Sequence, residues 1–161
     1  MKALVTIGIS VGILAGLWTQ FSTPFGLITW VGFVGWACYF AAGGKRDGLL
    51  KAIPATLSGA LWGSVIVWTA GAVALPVALP IAVSLAAFAM CVQARWRVLS
   101  FIPGTFAGCA AFFGTSFDLS ATCLALALGA GLGWLSEYAA NLTTGFSSKR
   151  EAPIHQGQPV K

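Results

Sequence analysis

The placement of charge along the chain most constrains what it can fold into. Residues 3–44, 52–94, 98–117 and 119–136 contain no charged side chain at all. A helix needs about 20 apolar residues to cross the hydrocarbon of a bilayer. The first two runs are each long enough for two crossings, and the last two suit one each, so the pattern predicts six spans. Gln20, Ser22, Thr23 and Pro24 break the first run. Leu75-Pro76-Val77-Ala78-Leu79-Pro80 breaks the second, because proline has no N–H and disfavours helix in the residue before it. The predicted spans are 3–19, 25–43, 52–73, 78–94, 99–116 and 119–140. They make residues 1–144 an all-α, polytopic transmembrane helical bundle. The polar, aperiodic segment 145–161, GFSSKREAPIHQGQPVK, reads as a flexible cytoplasmic tail.

Orientation follows from the basic residues. Lys2, Lys45, Arg46, Lys51, Arg95, Arg97, Lys149, Arg150 and Lys161 all fall on one side of a six-span chain. The positive-inside rule makes that side cytoplasmic, with both termini there. Composition agrees: 58% of residues are hydrophobic and 8% charged, where a soluble domain carries roughly a quarter charged residues. The net charge of +5 sits at the ends of apolar runs, where it meets anionic lipid headgroups. No basic face with interleaved aromatics points to nucleic acid. The stretch after Lys2 runs apolar to about Trp18 with no small-x-small cleavage site, so it reads as a span and not a signal peptide.

Two segments repeat. Ile53-Pro54-Ala55-Thr56-Leu57-Ser58-Gly59 and Ile102-Pro103-Gly104-Thr105-Phe106-Ala107-Gly108 share the pattern I-P-x-T-x-x-G. Each follows a basic loop and lies two spans from the other, which predicts a parallel repeat of helical hairpins. Pro54 and Pro103 read as helix starts, since proline is tolerated in a first turn. Thr56, Thr105, Gly59 and Gly108 have two readings. One is a packing notch. The other is a broken helix whose hydroxyls and N–H groups line a polar path. Gly8, Gly12 and Gly16 form a further small-residue face, read as bundle packing first and subunit contact second.

Chemistry is sparse. No carboxylate, lysine, arginine or histidine sits near a span centre, and there is no Gly-x-Ser-x-Gly elbow, no histidine near a nucleophile, no pair of carboxylates within a span and no phosphate loop. The chain is therefore not expected to be an enzyme, to have catalytic residues, or to use a cofactor. Cys38, Cys91, Cys109 and Cys123 lie in apolar runs far from the single histidine, His155, so no metal or disulfide is expected. Asp118 reads as a helix-start residue, and Glu137 as an interfacial partner of Lys149 or Arg150. Trp18, Trp30, Trp68 and Trp96 read as interface anchors, and Trp36, Trp62 and Trp134 as packing residues.

The segment FIPGTFAGCAAFFGTSFD, residues 101–118, together with the length and six spans, resembles the small bacterial inner-membrane proteins typified by YcdZ, a family of unknown function. The resemblance implies a bacterial inner membrane and no catalytic residues. The segment is also loosely similar in style to the half-repeat of urea-channel proteins. The expected function is a passive channel or facilitator for a small neutral or weakly polar solute, acting as a homo-oligomer in membrane lipid. Its path residues are Thr56, Ser58, Gly59, Thr105, Gly108, Phe112 and Phe113. The alternative is a non-transporting accessory or scaffold subunit.

Overall fold

The protein is described by a computed structural model covering residues 2–73 and 75–150, with side chains described from Leu4 to Leu142. Among these residues all regular secondary structure is helical. Six α-helices follow in order: α1 Lys2–Ser22, α2 Thr29–Ala41, α3 Lys45–Ala72, α4 Ala78–Val92, α5 Ile102–Gly114 and α6 Leu119–Arg150. Two short 3₁₀ turns, Gln93–Arg95 and Arg97–Leu99, join α4 to α5.

Four stretches are long and apolar enough to cross a membrane: Leu4–Ser22, Lys45–Ala72, Ala78–Arg95 and Leu119–Leu142. The other two helices, α2 and α5, have 13 residues each. At 1.5 Å per residue each reaches about 20 Å, short of the roughly 30 Å of hydrocarbon. The sequence predicts longer spans there, 25–43 and 99–116. Glycine and turn geometry shorten them. Gly26, Gly43 and Gly44 adopt φ of 69°, 105° and 65°, and Ser116 and Phe117 take φ of 55° and 71° just after α5.

α3 departs from expectation in the other direction. It begins at Lys45, seven residues before the predicted span, so Pro54 lies inside the helix and not at its start. The polar flank Lys45-Arg46-Asp47 is helix-competent, and Asp47 in the first turn suits the positive end of the helix dipole. Pro54 leaves the carbonyl of Leu50 without its helical N–H partner, a defect membrane helices tolerate. Pro103 does sit in the first turn of α5. At the other end of the chain, α6 continues to Arg150. Residues 151–161 of the expected tail lie outside the described residues.

α3 and α6 occupy the centre. α3 packs against α5, α6, α4 and α2, and α6 packs against α2, α3 and α1. Small hydrophobic clusters fill the gaps: Val31, Ala111, Ala125 and Leu126 between α2, α5 and α6, and Ile66, Ala86, Met90 and Cys109 between α3, α4 and α5.

Two helix pairs approach until backbone meets backbone. In the α3/α5 pair, a Cβ at Gly59 would lie 1.8 Å from the carbonyl oxygen of Thr105, and one at Gly108 would lie 1.9 Å from that of Thr56. Gly104 faces Ala55, and two turns on Gly63 faces Phe112, so these helices run in the same direction. In the α2/α6 pair, a Cβ at Gly35 would lie 2.2 Å from the Leu126 carbonyl oxygen, and one at Gly129 would lie 1.8 Å from that of Gly32. Gly133 then meets the Tyr39 ring, as Gly63 meets Phe112. In each pair a glycine on one helix sits on the carbonyl three residues before the facing glycine.

Hydroxyl pairs close two of the turns. Ser22 Oγ and Thr29 Oγ1 lie 2.6 Å apart between α1 and α2, and Thr115 Oγ1 and Thr122 Oγ1 lie 2.6 Å apart between α5 and α6. Asp118 caps α6: its Oδ1 accepts from the Ala121 N–H at 2.9 Å and from the Ser120 hydroxyl at 2.8 Å. These bonds hold its carboxyl below the usual range. Trp30, Trp68 and Trp96 are exposed, as expected of interface anchors. Trp18 is buried instead, its indole N–H donating to the Thr29 carbonyl at 2.9 Å.

Gly59→Leu and Gly35→Leu should each destabilise the detergent-solubilised protein by at least the upper end of the about 1–3 kcal/mol typical of overpacking, since the obstacle is backbone. Gly12→Leu should leave the thermal midpoint of the monomer unchanged, because nothing lies within 4 Å of a Cβ there. The Asp118 cap carries a sign. A carboxylate with a lowered folded pKa stabilises above its unfolded pKa, and that contribution disappears as pH falls through the folded value. The difference in thermal midpoint between wild type and Asp118→Ala should therefore hold steady from neutral pH down to about pH 4 and shrink below it.

Candidate functional site

The residues expected to line a path are brought together, but as a closed contact. Thr56, Gly59, Thr105 and Gly108 all sit at the α3/α5 crossing, buried. The Thr56 hydroxyl donates to the Ala52 carbonyl of its own helix at 2.8 Å. Phe112 packs on Gly63 and lies edge-on to the partly exposed Phe113, 6.0 Å between centroids. No opening passes between α3 and α5 at this level, because the two backbones are in contact.

Beside that crossing is a polar cluster whose central residue is Gln93. It follows α4 directly, in the 3₁₀ turn, and is only 7% exposed. Its amide nitrogen donates to Ser58 Oγ at 3.0 Å and, at 3.4 Å, to Thr105 Oγ1. Its amide oxygen accepts from the Trp62 indole N–H at 2.9 Å. Ser58 passes its own proton to the Ala55 carbonyl at 2.9 Å. One side chain thus links α3, the end of α4, and α5. Sequence reasoning missed it because Gln93 lies two residues before Arg95, where it reads as loop edge. The available signal was that it is the sole amide side chain between Gln20 and Asn141.

Trp62 faces two ways. It also lines an apolar groove of 460 Å³ between α3 and α4, with Val65, Thr69, Ile81 and Ala86. A matching groove of 610 Å³ lies between α1 and α6, lined by Ile9, Ser10, Ile13, Leu14 and Leu135. Ser10 Oγ reaches across it to the Ser136 carbonyl at 2.9 Å.

A second polar cluster sits where α2, α3 and α6 meet. Glu137 Oε2 accepts from the Tyr39 hydroxyl at 2.5 Å and from the Lys45 backbone N–H at 2.8 Å. The expected partners Lys149 and Arg150 have side chains outside the described residues. Trp134, expected to pack in the bundle, is exposed and stacks on Tyr138 with centroids 5.5 Å apart. One buried side-chain nitrogen, Trp36 Nε1, has no hydrogen-bond partner among the described residues. No group of three or more His, Cys, Asp or Glu that would suit a metal occurs among the described residues.

Comparison with known proteins fits this description. The chain is 35% identical over 163 residues to "Inner membrane protein YcdZ" of Escherichia coli (strain K12), covering 100% of this chain and 98% of that protein. The Salmonella typhimurium (strain LT2) protein of the same name is 40% identical over 131 residues, covering 80% and 82%. "Uncharacterized protein YahC" of Escherichia coli (strain K12) is 32% identical over 163 residues, covering 94% and 99%. No solved structure matches the chain. The family described as "Protein of unknown function (DUF1097)" matches residues 8–141, a stretch that begins within α1 and ends within α6. This helical membrane protein belongs to the DUF1097 family.

Proposed function

We propose that the protein is a multi-pass facilitator for a small, neutral, hydrogen-bonding solute in the bacterial inner membrane, and that the Gln93 cluster recognises that solute. The observation that carries the reading is the burial of Gln93 and Thr105 at the centre of this cluster. Polar side chains within a membrane bundle are costly and mark functional positions. Gln93, Ser58, Thr105 and Trp62 offer both donors and acceptors and carry no charge, which suits an uncharged solute. The α3/α4 groove leads to Trp62, whose indole N–H is already bonded to Gln93. On this reading the conformation described is closed, and passage requires α3 and α5 to part at Gly59 and Gly108.

The matched helix crossings support a moving bundle. α2 and α5 share a pattern: Phe33, Gly35, Ala37, Tyr39 and Phe40 align with Phe106, Gly108, Ala110, Phe112 and Phe113. Gly59-Ala60-x-x-Gly63 in α3 aligns with Gly129-Ala130-x-x-Gly133 in α6. The short loop Ala42–Gly44 returns the chain antiparallel, so the α2/α6 pair and the α5/α3 pair run in opposite directions. On this reading the halves α1–α3 and α4–α6 form an inverted repeat of the kind that transporters rock about, in place of the parallel repeat of hairpins expected from the sequence. The I-P-x-T-x-x-G segments are then the two faces of one crossing. By the positive-inside rule both termini would face the cytoplasm; Lys51 and Arg97 line one pocket together with Asp47.

The test is uptake of urea and glycerol into proteoliposomes. Wild type should exceed empty vesicles. Gln93→Leu should cut the rate about tenfold at equal folded yield, the equivalent of one lost buried hydrogen bond. Thr56→Val should leave it unchanged, because that hydroxyl serves its own helix. Uptake no faster than empty vesicles for every such solute overturns the reading.

One observation favours the accessory-subunit alternative. Gly8, Gly12 and Gly16 on α1 have nothing within 4 Å of a Cβ, so their own bundle does not use that face. If it seats another subunit, Gly12→Leu should lower the assembly mass in nanodiscs without lowering monomer stability. Unchanged mass counts against it.

A further inference from the structure

The cluster around Glu137 is built with more care than a helix end needs. The turn Gly43-Gly44-Lys45 takes three successive positive φ angles, 105°, 65° and 54°. Lys45 is a non-glycine residue in that region, which costs conformational energy. The turn wraps the carboxylate: a Cβ at Gly44 would stand 2.8 Å from Glu137 Oε2. The hydroxyl of the fully buried Tyr39 and the Lys45 N–H both donate to the same oxygen. The Glu137 carboxyl is thus fixed in place at the end of a long apolar stretch of α6.

A polar pocket of 210 Å³ opens beside it, lined by Tyr39, Lys45, Arg46, Trp134, Glu137 and Tyr138 among others. Its walls carry three kinds of group. The carboxylate and the stacked, exposed faces of Trp134 and Tyr138 attract an ammonium. The exposed Lys45 and Arg46, in the first turn of α3, attract a phosphate. Both sets line one pocket, which suits a ligand that carries both charges close together. The aromatic pair sits at the basic end of the bundle, where belts of Trp and Tyr meet headgroups. One turn of α6 serves both this pocket and an apolar surface: Leu135 and Ala139 line the 610 Å³ groove against α1, while Trp134 and Tyr138 line the pocket.

We propose that this pocket binds the headgroup of a zwitterionic phospholipid bearing a primary ammonium and a phosphate, with an acyl chain along α6. The ammonium lies against Glu137 and the Trp134–Tyr138 stack, and the phosphate against Lys45 and Arg46. A choline headgroup has no N–H to give the carboxylate. An anionic glycerol headgroup brings no cation to Glu137 and leaves that charge against its own phosphate. The site is separate from the Gln93 cluster and does not depend on the transport reading.

The test is native mass spectrometry of the detergent-purified full chain with added phosphatidylethanolamine, phosphatidylcholine, phosphatidylglycerol or free phosphoethanolamine. Phosphatidylethanolamine should be retained about tenfold more than the other two lipids, a difference of about 1.4 kcal/mol. Arg46→Ala, an exposed change, and Glu137→Gln should each abolish that preference with the thermal midpoint in lipid-free detergent kept as the folding control. If Glu137→Gln fails that control, Arg46→Ala alone decides. Equal retention of phosphatidylcholine overturns the proposal. So does a preference that survives Arg46→Ala. Free phosphoethanolamine competing as well as the lipid would assign the pocket to a soluble zwitterion and overturn the lipid assignment.

Discussion

The structure depends on backbone touching backbone at two glycine crossings. In lipid, association of helices gains little from the hydrophobic effect, because the tails are as apolar as leucine. What remains is close van der Waals contact, and its strength grows as side chains shrink. Gly59 against Thr105 and Gly108 against Thr56 bring α3 onto α5, and Gly35 against Leu126 and Gly129 against Gly32 bring α2 onto α6. The remaining helices lie outside this pair of pairs. α1 packs chiefly on α6 and α4 chiefly on α3, with most of their surface open.

The short helices follow from the same economy. α2 and α5 do not reach across a bilayer on their own, yet each is the partner in a crossing. Their ends need somewhere to leave unpaired carbonyls and N–H groups. At α2 the chain turns through Gly43 and Gly44 and passes the next N–H, that of Lys45, to Glu137. At α5 the Thr115 hydroxyl bonds back to the Phe112 carbonyl at 2.9 Å and pairs with Thr122. Polar residues near the helix ends thus complete backbone bonding that lipid does not supply.

Several mid-helix hydroxyls serve the backbone of their own helix. Ser64, Thr69, Ser84 and Ser136 each donate to a carbonyl three or four residues back in their own helix. A hydroxyl in lipid finds that local acceptor whatever its neighbours are. An amide is different, because a helix leaves no local partner for both its ends. Gln93 therefore had to reach across helices, and it gathers Ser58, Thr105 and Trp62. Ser58 and Thr105 stood out in the sequence through the repeated motif, whereas the amide that joins them lies outside any motif.

Sequence alone determined that the chain is a helical membrane protein. Charge-free runs and basic ends require it, since apolar side chains and backbone can be satisfied together in lipid only by helices of this kind or closed barrels. It also carried a resemblance to the family, through residues 101–118, and offered a packing notch at Gly59 and Gly108 as one of two readings. Only the tertiary structure decided which helices are short, because a two-residue glycine turn and a positive-φ pair end them earlier than hydropathy does. It decided that Pro54 is interior, because Lys45, Arg46 and Asp47 are polar yet helical and hydropathy reads them as loop. It decided, too, that the two I-P-x-T-x-x-G segments meet. A motif records which residues can approach closely, and the contact between them depends on where the whole bundle brings each helix.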